Sequence, residues 1–176
     1  MIAATRRQAM MGALAVPTLA GLPQFRWQHG EASVLLHDPA LAAGLRFAAA
    51  GAARGGKVVA LAGDRIRLAR DVLSRRPALI AGVSMAADAL LLEDVAAEAG
   101  YTRVALLIGS GDTCTAEACH PGWAAVGRMA QGAGGQWIEA LADYAVQPGG
   151  TTAMPDAAPA APGGASVLGW VLAAKA

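Results

Sequence analysis

The polar residues of this chain that could do chemistry stand in short clusters: His37-Asp38, Gly63-Asp64-Arg65, Gly82-Val83-Ser84 and Gly109-Ser110-Gly111-Asp112. Each follows a short apolar run. Within them, Asp38, Asp64, Arg65, Ser84, Ser110 and Asp112 are the candidates for binding a ligand. Carboxylates, hydroxyls and a guanidinium at the ends of strands suit a small polar or charged molecule. The competing job is structural, because Asp and Ser in such places commonly cap helices. No reaction can be assigned to these residues. Ser110 between Gly109 and Gly111 does not have the spacing of a nucleophile elbow, G-x-S-x-G. Gly109-x-Gly111 is not completed into a dinucleotide fingerprint by the residues that follow it. Neither an H-E-x-x-H motif nor a P-loop occurs, and the histidines at 29, 37 and 120 are scattered.

Cys114 and Cys119 form the most specific pair, with four residues between them and His120 next. In an oxidising compartment thiols this close usually pair. A bridge over so short a loop contributes roughly 2 kcal/mol by restricting the unfolded chain. Two other chemistries use these residue types. The haem-attachment pattern Cys-x-x-Cys-His needs two intervening residues rather than four. Two thiolates and an imidazole suit zinc or copper, but beyond the neighbouring Asp112 no candidate for a fourth ligand is evident. The expectation is therefore a disulfide between Cys114 and Cys119, with no metal site and no cofactor assigned.

The elements that must position these groups follow a rhythm. Apolar runs at 32–36, 57–61, 78–81 and 102–108 read as strands and begin roughly two dozen residues apart. Amphipathic helical segments fill the intervals. Asp38-Pro39 suits an N-cap with proline in the first helical position. Asp64 and Ser84 are the cap candidates of the next two helices. The glycines from Gly51 to Gly56 read as a helix stop. Strands alternating with helices imply a sheet with helices on its faces, and ligands of such folds bind outside the carboxyl ends of the strands. Helix N-termini there favour anions. Further on, 121–129 and 136–146 read as helices, 147–165 as an irregular loop rich in Pro, Gly and Ala, and 166–172 as a last strand. Trp27, Trp123, Trp137 and Trp170 are expected in packing.

Ahead of this domain, Arg6-Arg7, an apolar run from Ala9 to Leu22 and the small residues of Thr18-Leu19-Ala20 make a secretory leader, cut before Gly21. Paired arginines point to the folded-protein export route. The run is shorter than the roughly 20 apolar residues of a spanning helix, and it contains Pro17. Ala9 and Met11 depart from the residues usual in the twin-arginine motif. The expected organisation is a leader over 1–20, a lead-in segment over 21–31 and one domain over 32–176. The full chain has 176 residues and a formal charge of +1; without Arg6 and Arg7 it is at −1. Such a near-neutral sum gives no electrostatic case for nucleic acid or an anionic membrane.

The chain resembles small twin-arginine-signal proteins of proteobacteria, a group with no known activity. The carrying features are the helix start Gly63-Asp64-Arg65-Ile66-Arg67, the helix start Ala81-Gly82-Val83-Ser84 and the closing Leu168-Gly169-Trp170-Val171-Leu172. The resemblance implies a Rossmann-like fold and an envelope location, and it implies no activity. The expectation is a three-layer α/β domain with an open, mainly parallel sheet of about five strands, exported to the periplasm. Its expected work is non-catalytic binding, or an accessory role beside an envelope protein partner. Its expected contacts include the twin-arginine export machinery, and exclude nucleic acid and stable membrane insertion. The alternatives are a periplasmic enzyme built on Asp38, Asp64, Ser84 and Asp112, and a metal or redox protein built on the cysteines.

Overall fold

The computed structural model describes residues 33–110, 113–147 and 166–175. The leader, the lead-in, Asp112, Trp27 and nearly all of the irregular loop lie outside the described residues. The chain runs β1 (Val34–His37), α1 (Ala42–Ala53), β2 (Lys57–Ala60), α2 (Arg65–Leu73), β3 (Leu79–Ser84), α3 (Ala86–Glu98) and β4 (Tyr101–Ser110). It continues through β5 (Thr113–Cys119), α4 (Ala124–Gly132), α5 (Trp137–Val146) and β6 (Val167–Ala174).

β1 and β3 are buried along their whole length. They read as continuous apolar runs because helices cover both faces of the sheet. Side chains alternate between those faces. Leu35, Leu79, Ala81, Val83 and Leu107 pack with Phe47 of α1, Val126 of α4 and Leu141 of α5. Leu36, Ile80, Trp170 and Leu172 pack on the other side with Val72 of α2 and Leu92 of α3. The result is a three-layer α/β domain. Among the described residues no helix is long and apolar enough to cross a membrane.

The sheet has six strands in the order β2-β1-β3-β6-β4-β5. β1 pairs in parallel with β2 and β3. The other pairings, β3 with β6, β6 with β4 and β4 with β5, are antiparallel. The expected mainly parallel sheet of about five strands is thus corrected to a mixed sheet of six. The βα rhythm is nevertheless real. Because β3 and β4 both oppose β6, the strands β1 to β4 all point the same way. What alters the sheet is β6, the last strand, which inserts between β3 and β4, and β5, which returns beside β4.

Indole rings seat β6 in that position. A Cβ on Gly82 would lie 2.1 Å from a ring carbon of Trp170, and one on Gly109 would lie 2.1 Å from a ring carbon of Trp137. Gly169 meets Trp137 in the same way. Bare backbone thus lets one indole lie flat on each face of the sheet.

Three local readings are corrected. α1 begins at Ala42 after Leu41, so Asp38 and Pro39 precede the helix and do not open it. Asp38 instead accepts the Ala40 N–H at 2.9 Å and makes a tight turn. Ser84 is the last residue of β3, and Met85 is the N-cap of α3. Cys114 and Cys119 are free. They lie on one extended strand, Cys114 opposite Gly109 and Cys119 opposite Ala105. That register separates them by roughly 13 Å, and a disulfide requires Cα atoms within roughly 7 Å.

Candidate functional site

With β1 to β4 aligned, their carboxyl ends share one edge of the sheet. The chain steps from β1 to β2 on one side and from β2 across to β3 on the other. The order therefore reverses at β1, and the crevice between the ends of β1 and β3 is where open α/β sheets usually place a ligand. α1, α2 and α3 start at this edge, directly after β1, β2 and β3. Neither α1 nor α3 has a side-chain cap. Their first amide groups and their dipoles favour a negative group there.

The candidates share the edge without forming one cluster. β2 and β4 are four strand positions apart, or roughly 19 Å, so Asp64 and Arg65 cannot meet Ser110 around a small molecule. Most of the side chains also have structural work. Asp64 accepts the N–H groups of Ile66 and Arg67 at 3.0 and 3.1 Å and so caps α2, as its sequence position suggests. Arg65 pairs with Asp88 at 3.2 Å and donates to the Gly63 carbonyl. Ser84 is 0% exposed. Its hydroxyl accepts the Trp170 indole N–H at 3.0 Å and donates to the Met85 carbonyl. Ser110 is exposed, and its carbonyl accepts the Thr113 hydroxyl.

Asp38 stays in the crevice. Its N–H donates to the Val83 carbonyl at 3.0 Å, tying the end of β1 to the end of β3. α1 packs so closely here that a Cβ on Gly44 would fall 2.1 Å from the Asp38 carbonyl oxygen. Beside Asp38 stands His37, which the sequence places in the same strand-end cluster but which is not among the six candidates. His37 ends β1, is 8% exposed, and has a buried Nδ1 with no hydrogen-bond partner among the described residues. Burial pushes its pKa down, and the neighbouring Asp38 carboxylate offsets part of that fall. A buried polar atom without a partner is unusual and asks for an explanation. The available signal was the position of His37 directly before Asp38-Pro39 at a strand end.

Alternation fixes what His37 can work with. It lies on the face of Leu35, towards α1 and α5, whereas Ser84 lies on the face of Trp170, towards α2 and α3. The two cannot form a serine–histidine pair. Cys114 and Cys119 are too far apart to share one metal ion, and no group of three or more His, Cys, Asp or Glu able to hold a metal occurs among the described residues. Burial and, secondarily, Cys119 push the Cys114 thiol up to about 11, so at neutral pH it is protonated and unreactive.

Compared with protein-family models, with curated proteins and with solved structures, the chain matches none.

Proposed function

We propose that this chain is an exported periplasmic α/β protein that binds a small anionic ligand at the carboxyl edge, over the ends of β1 and β3, without transforming it. The observation that carries the reading is the unpartnered, buried Nδ1 of His37 beside the uncapped start of α1. A bound anion would give that nitrogen an acceptor and would favour the imidazolium. Helix dipoles at the same edge act in the same direction. The side chains an enzyme would need there are otherwise engaged. Asp64 caps a helix and Ser84 holds Trp170 on the opposite face. The leader, read from Arg6-Arg7 and the apolar run, supports the periplasmic address.

The test is a thermal-shift screen of phosphate, sulfate and small carboxylates, followed by NMR titration of the His37 ring. A genuine ligand raises both the melting midpoint and the His37 pKa, and His37→Gln removes both effects. A His37 pKa that no anion moves would sink the reading.

A further inference from the structure

We infer that the strip of sheet over β4 and β5, on the face of α2 and α3, docks an amphipathic helix of a partner protein whose flanks are cationic. Helices do not cover the two faces equally. α1, α4 and α5 lie on one face, and α2 and α3 on the other. α4 packs on β5, and Cys114, Ala116 and Cys119 of β5 join the apolar cluster beneath it. On the other face α3 packs on β6 and β4, and no residue of β5 joins that apolar cluster. Thr115 stands opposite Ile108 and Ala118 opposite Leu106, and Ile108 stands opposite Leu168 of β6. Alternation puts these side chains on the face of α3. Leu106, Ile108 and Leu168 are half-buried, and Thr115 and Ala118 are exposed. Leu90 of α3, 57% exposed, stands one turn before Glu93, whose partner is Arg103 of β4, so it borders the strip.

The strip has the width of one helix. A helix packed beside α3 at the usual spacing of roughly 8–10 Å would be centred over β5, because strands lie roughly 4.8 Å apart. It would fill the place that α4 fills on the opposite face. A strand added to the free edge of β5 is a poorer occupant. The pairing of β5 with β4 shifts register between Leu106 and Leu107, which leaves Glu117 as an extra residue in β5. A bulge with a charge on it interrupts an edge against further strands but leaves the face open.

Charge selects the flanks of the partner. The strip is bordered by α3, β4, β5 and β6, whose charged residues are Asp88, Glu93, Asp94 and Glu98 of α3, Arg103 of β4 and Glu117 of β5. Asp88 pairs with Arg65 of α2, and Glu93 with Arg103. Asp94, Glu98 and Glu117 are exposed and take part in no ion pair among the described residues. Glu98 stands at the end of α3, on its side towards α2. The exposed cations Arg67 and Arg70 belong to α2, beyond α3 from the strip, and Lys175 follows β6 at the amino edge. An apolar centre with an acidic border suits a helix that is apolar on one face and carries lysine or arginine beside it. The inference is independent of what, if anything, binds at His37, which lies on the other face.

The test is fluorescence anisotropy of the full chain with a labelled leucine–lysine peptide of about 18 residues, patterned as an amphipathic helix. The same peptide with glutamate in place of lysine is the comparison. Wild type should bind the lysine peptide about tenfold or more tightly than the glutamate peptide. Thr115→Arg/Ala118→Arg fills the strip with charge from two exposed positions and should weaken that binding by about tenfold or more. Asp94→Lys/Glu117→Lys should reverse the preference between the peptides. Leu45→Arg, at an exposed leucine of α1, is the control and should bind like wild type. Unchanged circular dichroism spectra check folding, and Leu90→Ser on the surface of α3 takes the place of the double arginine variant if that one unfolds. Wild type that binds neither peptide overturns the inference, as does equal binding of the two, or a loss as large in Leu45→Arg. Self-association that Thr115→Arg/Ala118→Arg abolishes would give the strip to a second copy. Peptide binding that appears only when residues 151–162 are replaced by glycine and serine would give it to the chain's own loop. Either result overturns the inference.

Discussion

The Ser84 hydroxyl shows how a polar side chain at a strand end becomes committed to the core. It is completely buried, accepts from the Trp170 indole and donates to the adjacent Met85 carbonyl. Replacing it with alanine leaves the indole N–H buried and unmatched, which costs about 1–3 kcal/mol. Ser84→Ala should lower the urea midpoint accordingly. A change within a few tenths of a kcal/mol would show that water reaches the indole. Asp64, by contrast, was readable from sequence as a cap, because a cap needs only the next turn of its own helix. The role of Ser84 was not readable, because its partner is 86 residues away. Asp38 failed as a cap for a local reason: its side chain closes a turn at Ala40, and the helix starts only after Leu41. The thiols of Cys114 and Cys119 were misjudged because sequence spacing was read as distance, and an extended strand keeps such neighbours apart.

The strands β1 to β4 and the helices between them were legible because each is announced by its own apolar period and its own stop. The alternation of polar and small residues in Thr113–Cys119 makes no apolar run, so its own residues do not announce β5 as a strand. β6 was legible as a strand but not as to place. Its neighbours are chosen by pairing and by the fit of two indoles over glycine, neither of which is written in its own residues. That fit can be tested. Gly82→Ala brings a methyl to 2.1 Å from the Trp170 ring. The ring cannot yield without disturbing its bond to Ser84, so the substitution should destabilise the fold by about 1–3 kcal/mol or more. A Gly82→Ala protein with an unchanged thermal midpoint would mean that the seat is looser than its geometry. Trp123 adds a further aromatic contact on the α4–α5 side, edge-on to Tyr144 at 6.2 Å.

For the molecule as a whole, two buried titratable groups pull stability in opposite directions with pH. The pKa of His37 is lowered from 6.5 by burial, against the raising effect of Asp38. The unfolded chain therefore takes up that proton more readily. The contribution of His37 is present above 6.5 and is lost as pH falls through its folded value. Asp143 is raised by burial, against the lowering effect of Arg54 and with a smaller rise from Glu139. Its contribution is present at pH below its ordinary value of 3.8 and is lost as pH rises through the folded value. Denaturation midpoints from about pH 7 to 4 should separate the two. His37→Gln should abolish the loss that sets in below about pH 6.5, and Asp143→Asn should remove the partial relief at the acid end. Curves for both variants parallel to wild type would refute the assignment.

The place of β6 has a consequence for synthesis. Translation delivers Val167–Ala174 after the other five strands of the sheet, yet these residues form the seam between β3 and β4. Until they clear the ribosome, the half-sheets on either side each expose an open strand edge, and joining them requires contacts far apart in sequence. The sheet therefore cannot close until β6 has emerged. A product truncated before β6 is left with two unsealed half-sheets.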